Sequence, residues 1–220
     1  MNGIYRKDLI QIQKSWLVEL VICAAAVAIM ACFEVFPGLI TFFAVFWMMQ
    51  AASTIFADRT SGWYLYSTSF PCTRKQMLQS KYWLALLFGL LGFGLGLLIA
   101  LTGSKLDGTG FSLASEAVQI NIAIAGVITF SAAAFVIPLS YLMKKNQYFM
   151  AIVLSFVPAA VMIMFWSSQI QETIVQISET VQAAEVTMNI GLIWGFCLLS
   201  ILLFILSMVI MPSYISKKDQ

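Results

Sequence analysis

The amino-acid sequence predicts an all-α, polytopic membrane protein with six transmembrane helices in a single transmembrane domain over residues 1–220. Of the 220 residues, 61% are hydrophobic and 10% are charged, whereas about a quarter are charged in ordinary soluble domains. Six apolar stretches are each about as long as a helix that crosses a roughly 30 Å hydrocarbon core. All lysines and arginines except Lys105 fall on one side of these spans. The positive-inside rule therefore places both termini in the cytoplasm.

The predicted spans follow one another with short connections. They cover Trp16–Phe36, Gly38–Ala57, Tyr82–Leu101, Val118–Leu142, Tyr148–Trp166 and Ile190–Met211. Pro37 and Gly38 separate the first two spans, because they stop one helix and turn the chain. In the third span, the spacing of Gly92 and Gly96 allows close helix approach, and we expect it to serve packing within the chain rather than a dimer seam. Pro138 predicts a bend in the fourth span.

Several classes of protein are excluded by what the sequence lacks. There is no histidine, so Ser-His and Cys-His nucleophile pairs and His-ligated metal sites cannot form. No Gly-x-x-x-x-Gly-Lys-Ser/Thr loop occurs, so we expect no nucleotide, cofactor or metal in this chain and no enzyme activity of its own. No ionisable residue lies near the middle of a span, which argues against an ion-coupled transporter. The net charge of +2 is too small to indicate nucleic-acid binding.

Residues 1–15 predict an amphipathic helix that lies in the membrane interface. The side chains expected to face lipid are those of Ile4, Leu9, Ile12 and Trp16. Those expected to face water are Arg6, Lys7, Asp8 and Lys14. Such a pattern is typical of interfacial helices, and a basic anchor that only sets the topology is the alternative.

Residues 58–81 are the longest predicted cytoplasmic segment, and their composition favours a docking surface over a re-entrant turn in the headgroup region. Gly62 is expected to end the second span, and residues 63–69 to form a short aromatic helix. Thr73 and Gln76 match a capping box, in which the side chain of each residue accepts a hydrogen bond from the backbone N–H of the other. A new helix is therefore expected to start at Arg74 and to run as a stalk into the third span.

Residues 167–188 predict an amphipathic helix on the outer side, before the sixth span. Its apolar side chains recur with a helical period of about 3.6 residues. The positions that define this face are Ile170, Ile174, Ile177 and Val181. The segment is too polar to form a seventh span, and it would lie over a pore or along the bilayer.

The segment between spans two and three resembles the signature of small bacterial ABC-2 type permeases. The matching residues are Asp58, Ser61-Gly62-Trp63, Tyr66, Ser69-Phe70-Pro71, Arg74-Lys75 and Ser80-Lys81-Tyr82. The opening stretch from Ile4 to Leu9 also resembles the basic N-terminal helix of that family. Arg59 stands where the family usually has an acid.

The resemblance implies one half of a type II ABC exporter, with residues 1–15 as the connecting helix and residues 58–81 as the coupling loop and stalk. A second permease subunit, identical or different, would complete the conduit, and separate ABC ATPase subunits that hold ATP and Mg would dock on the loop. The ATPase-coupling residues so implied are Asp58, Arg59, Ser61, Gly62, Trp63, Tyr64, Tyr66, Pro71, Arg74, Lys75 and Lys81. Those of the connecting helix are Tyr5, Arg6, Lys7 and Asp8.

Within that family, the chain resembles exporters of phenol-soluble modulins and bacteriocins. This likeness implies a permease in the bacterial plasma membrane that exports an amphipathic substrate, with antimicrobial peptides as one candidate class. The alternative is a regulatory or structural membrane protein that binds a cytoplasmic partner through the same loop and transports nothing. An intramembrane enzyme is the weakest hypothesis, because the spans lack histidine and paired carboxylates.

Overall fold

The computed structural model is helical over nearly all the residues that it describes, which are 2–33, 35–63, 73–106, 116–143, 147–180 and 190–218. The helices are α1 (Asn2–Gln13), α2 (Trp16–Cys32), α3 (Gly38–Thr60), α4 (Arg74–Leu106), α5 (Glu116–Leu142), α6 (Tyr148–Thr180) and α7 (Ile190–Lys218). Within these ranges there is no strand, which confirms the predicted all-α class.

Five of the helices in the described ranges, α3 to α7, are each long and apolar enough to cross a membrane. α2 has 17 residues, which corresponds to about 25 Å at the usual rise of a helix. α1 and α2 pass the same test as a pair, but they are bent by 62° at the break between Gln13 and Trp16. The chain is therefore a multi-pass membrane protein with five spans, or six when this bent pair is counted.

α3 and α5 lie at the centre of the packing. α3 contacts α4 along most of its length and packs against α5, which in turn contacts α6 and α7. α2 lies at the edge and makes few contacts, mostly with α3. Large apolar side chains of α2 such as Leu17, Val18 and Val21 are exposed, as lipid contact permits, because acyl chains are as apolar as these residues.

Glycines on α4 bring its backbone close to that of α3. A Cβ atom added at Gly96 would lie 2.7 Å from the carbonyl oxygen of Leu39, and one added at Gly92 would lie 2.9 Å from Cβ of Trp47. No side chain fits at such distances, so only glycine permits this contact. The Gly92–Gly96 pair therefore serves packing within the chain, as the sequence predicts.

The predicted outer helix is continuous with the fifth span. α6 runs without a break to Thr180, because residues 167–180 contain neither glycine nor proline to end the helix. Three of the predicted positions lie on this continuation, namely Ile170, Ile174 and Ile177. Val181 lies outside the described residues. The apolar face of this segment involves side chains outside those described, and it stays a prediction.

Replacing Gly92 with Ala is expected to loosen the contact between α3 and α4, because the new methyl group must displace the backbone near Phe43. We expect the free energy of unfolding to fall by about 1–3 kcal/mol, the usual cost of overpacking a core. Gly94→Ala is the matched control, since a Cβ atom at Gly94 meets no atom within 4 Å. Thermal unfolding of the purified chain in detergent compares the two variants, and an equal loss in both would contradict the close approach.

Candidate functional site

Four charged side chains from three helices meet at one end of the bundle. α1 supplies Lys7 and Asp8, α3 supplies Asp58 near its end, and α4 supplies Lys81 near its start. We call these four residues the ionic cluster. Its formal charge is zero, because two lysines face two aspartates.

Lys81 is the centre of the ionic cluster. Its Nζ atom lies 2.8 Å from both carboxylate oxygens of Asp8, 2.9 Å from Oδ2 of Asp58 and 3.1 Å from Oγ1 of Thr54. Lys81 is 1% exposed and Asp8 is 0% exposed. Charges removed from water this completely are tolerated only when they are paired and hydrogen-bonded, and the three partners satisfy the donors of Lys81.

Lys7 is the more solvent-exposed lysine of the ionic cluster. Its Nζ atom lies 3.0 Å from Oδ1 of Asp8 and also donates a hydrogen bond to Oδ1 of Asp58. The same ammonium group lies 5.0 Å from the centre of the Trp63 ring, within the range of a cation–π interaction. Lys7 therefore links α1 both to the end of α3 and to the first residues of the segment that follows.

The structure corrects the predicted orientation of α1. Asp8 was expected to face water, and Lys7 likewise, but Asp8 is fully buried and Lys7 is half-buried. Ile12 was expected to face lipid and is instead buried in the hydrophobic core. The physical reason is that Asp58 and Lys81 supply charge partners on the bundle side, so the charged face of α1 turns inward.

The two ends of the segment between α3 and α4 are built as the sequence predicts. α3 ends at Thr60, and Gly62 follows with φ = 71°, a left-handed conformation that suits glycine after a helix. At the other end, Thr73 N donates to Oε1 of Gln76 at 3.1 Å, and Gln76 N donates to Oγ1 of Thr73 at 3.3 Å. This reciprocal pair confirms the capping box, and α4 begins at Arg74.

Arg59 has a structural partner within the chain. Its Nη1 atom donates to the carbonyl oxygen of Met143 at 2.6 Å and to that of Ser140, where α5 ends. The last carbonyls of a helix lack intrahelical partners, so a guanidinium group there both satisfies them and complements the helix dipole. Arg59 thereby fastens α5 to the end of α3, next to the ionic cluster.

A cleft of about 540 Å³ opens beside the ionic cluster, between α1 and the end of α3. Its lining is formed by Lys7, Ile10, Gln11, Lys14, Ala57, Asp58, Thr60, Ser61 and Trp63. The walls combine apolar side chains with cationic and hydroxyl groups.

The remaining predicted site residues divide into three groups. Arg6 and Lys75 are exposed, whereas Arg74 is half-buried. Tyr5 lies in an apolar groove of about 710 Å³ against the lipid-facing side of α4. Three residues lie outside the described part of the chain, namely Tyr64, Tyr66 and Pro71.

Thr54 is the member of this site that sequence reasoning missed. It is fully buried and accepts a hydrogen bond from Lys81. Its position one helical turn before Asp58 was an available signal, because residues four apart share a face of a helix. The ionic cluster as a whole was missed because its members come from three segments far apart in the sequence.

All four members of the ionic cluster are paired with one another, so the arrangement holds three helices together rather than presenting a free acid or base.

A model of ABC-2 family transporter proteins matches residues 3–214. The chain belongs to the ABC-2 transporter family. It is a permease, the membrane-spanning subunit of an ABC transporter, and this family implies an ABC ATPase partner. No curated relative and no solved structure matches the permease.

Replacing Lys81 with Met is expected to destabilise the permease by about 3–5 kcal/mol, because Asp8 would be left buried beside a second carboxylate with one lysine between them. Adding Asp8→Asn restores charge balance, so the double variant should be more stable than Lys81→Met alone. Lys75→Met is the control on the same helix, since this lysine is exposed. Thermal unfolding in detergent measures all three, and a loss in Lys81→Met no larger than in Lys75→Met would contradict the role of the pairing.

Proposed function

We propose that this permease is one half of an ATP-driven exporter and that a separate ABC ATPase docks on the segment between α3 and α4. The observation that carries the proposal is the ionic cluster, which joins both ends of that segment to α1. Asp58 lies in the last turn of α3, before this segment, and Lys81 lies about two turns into α4, after it. Both residues contact charged side chains of α1.

A docked ATPase can do work on the membrane spans only if its contact surface is stiffly joined to them. Separating Lys81 from Asp8 and Asp58 would leave charges buried without partners, which costs several kcal/mol. We call the segment between α3 and α4 the docking segment. A force on it is therefore expected to move α1, α3 and α4 together. Arg59 extends the same joint to the end of α5.

The cleft beside Trp63 supports the same assignment. It lies between the proposed connecting helix and the proposed coupling loop, so a single partner surface can contact both. Lys14 is exposed at this cleft and is available to an acidic residue of the ATPase. On this proposal the ionic cluster lies at the cytoplasmic side of a bacterial plasma membrane, with both termini on that side, as the distribution of lysine and arginine favours.

A second permease subunit, identical or different, would complete the conduit for an amphipathic substrate. Peptides are the first class to test, because the chain resembles exporters of amphipathic peptides and its predicted outer loops are rich in acidic residues. Acidic groups on the outer side would attract a cationic peptide as it leaves.

Affinity purification of the tagged permease from its native membranes tests this function directly. We expect an ABC ATPase to accompany it, together with one or two permease species. Vesicles that contain this complex should move substrate only with ATP and an active ATPase. Capture of a cytoplasmic protein that is not an ATPase, with no transport, would instead support the regulatory alternative.

Trp63→Ala is expected to weaken the association of permease and ATPase by about tenfold or more, the usual effect of truncating a tryptophan at the centre of an interface. Trp63→Phe keeps a ring beneath Lys7 and should lose less. Trp83→Ala is the matched control, because this tryptophan is exposed on α4 in the apolar groove. Binding of the purified ATPase to permease in nanodiscs measures the effect, and unchanged affinity in Trp63→Ala would sink the docking assignment.

A further inference from the structure

Consecutive residues of α4 reach two different groups of helices. Neighbouring positions of a helix point about 100° apart, so Lys81 enters the ionic cluster while Tyr82 points to another side. The Tyr82 side chain is 0% exposed, and its hydroxyl oxygen lies 2.6 Å from Oγ of Ser207 on α7. The ring also packs edge-on against Phe204 of α7, with centroids 5.8 Å apart.

Ser207 connects Tyr82 to a defect in α5. Pro138 lies inside α5 and has no N–H, so the carbonyl of Ala134, four residues earlier, lacks its usual helical partner. Oγ of Ser207 donates to this carbonyl oxygen at 2.7 Å. Because the single hydroxyl proton of Ser207 is used there, Tyr82 is the donor in its bond with Ser207.

A small apolar groove adjoins this chain of hydrogen bonds, and it opens to the surface at the exposed side chains of Leu206 and Ile210. It has a volume of about 210 Å³ and lies between α5 and α7, where Pro138, Leu206 and Ser207 contribute to its wall. This open space next to Pro138 gives α5 room to change its bend without a clash against α7.

We propose that Lys81 and Tyr82 form a transmission joint, through which movement of the docking segment reaches the proline bend of α5 and the helix α7. Tyr82 and Ser207 are positioning residues in this joint. The inference rests on the proposed function, in which the docked ATPase moves the docking segment. Lys81 receives the displacement from α1 and α3. Tyr82 passes it to Ser207, which holds the free carbonyl of Ala134.

The link between Ser207 and Pro138 is testable in the permease alone. Ser207→Ala leaves both the Ala134 carbonyl and the Tyr82 hydroxyl without partners, so the unfolding equilibrium constant should rise about five- to a hundredfold. In a Pro138→Ala background the new N–H satisfies Ala134, and the same substitution should cost at least about threefold less. Ser200→Ala is the matched control, since Ser200 donates to Phe196 of its own helix at 2.9 Å. An equal cost of Ser207→Ala in both backgrounds would overturn the link.

Hydrogen–deuterium exchange tests the transmission in the complex of permease and ATPase in nanodiscs, without nucleotide and with Mg·ATP and vanadate. In the wild type we expect nucleotide to change exchange in residues 74–81, in 134–143 of α5 and in 204–214 of α7. Tyr82→Phe should keep the first change and lose about half or more of the other two, because its bond to Ser207 shifts a two-state equilibrium by about two- to tenfold. Tyr148→Phe, a tyrosine stacked on Phe56, should behave as the wild type.

The outcomes separate the two proposals. A wild-type response that persists unchanged in Tyr82→Phe would overturn the joint and leave the proposed function standing. A wild-type complex that forms but does not respond to nucleotide, or that does not form, would overturn the proposed function and the transmission role with it. Loss of the response in α5 and α7 alone, with ATP hydrolysis retained, is the result that supports the joint.

Discussion

The pairing of Lys81 with Asp8 and Asp58 is the interaction on which the arrangement of the first helices depends. Apolar packing alone cannot fix α1, because in a bilayer an apolar side chain is as well solvated by lipid as by protein. A buried ammonium group has no such freedom, since it must find carboxylates in the absence of water. Lys81 therefore determines which face of α1 turns inward and where α1 lies relative to α3 and α4.

Two kinds of contact hold α3 and α4 together, at different depths. Along the spans the glycines of α4 allow backbone contact, as at Gly92 and Gly96, and the energy is that of many small dispersion contacts. At the end of the spans the ionic cluster adds directional bonds. The docking segment follows α3 at the ionic cluster. A force applied to this segment therefore acts on the end of the helix pair that the ion pairs hold most rigidly.

The helical class and the local features of the permease were predictable from sequence, because hydropathy and short-range chemistry determine them. Gly62 after α3 and the capping pair of Thr73 and Gln76 are examples, since each depends on neighbours within a few residues. The inward turn of Asp8 was not predictable in this way, because its partner Lys81 is 73 positions away. The continuation of α6 beyond Trp166 was readable in principle, since residues 167–180 contain neither glycine nor proline.

The same separation of 73 positions has a consequence for biosynthesis. Asp8 leaves the ribosome long before Lys81, and until Lys81 arrives its carboxylate has Lys7 as a partner but not the lysine that buries it in the bundle. α1 is therefore expected to dock only after α2, α3 and α4 have been made and inserted. Its docking would then complete the ionic cluster, because Lys81 reaches Asp8 only when α4 lies in the correct register.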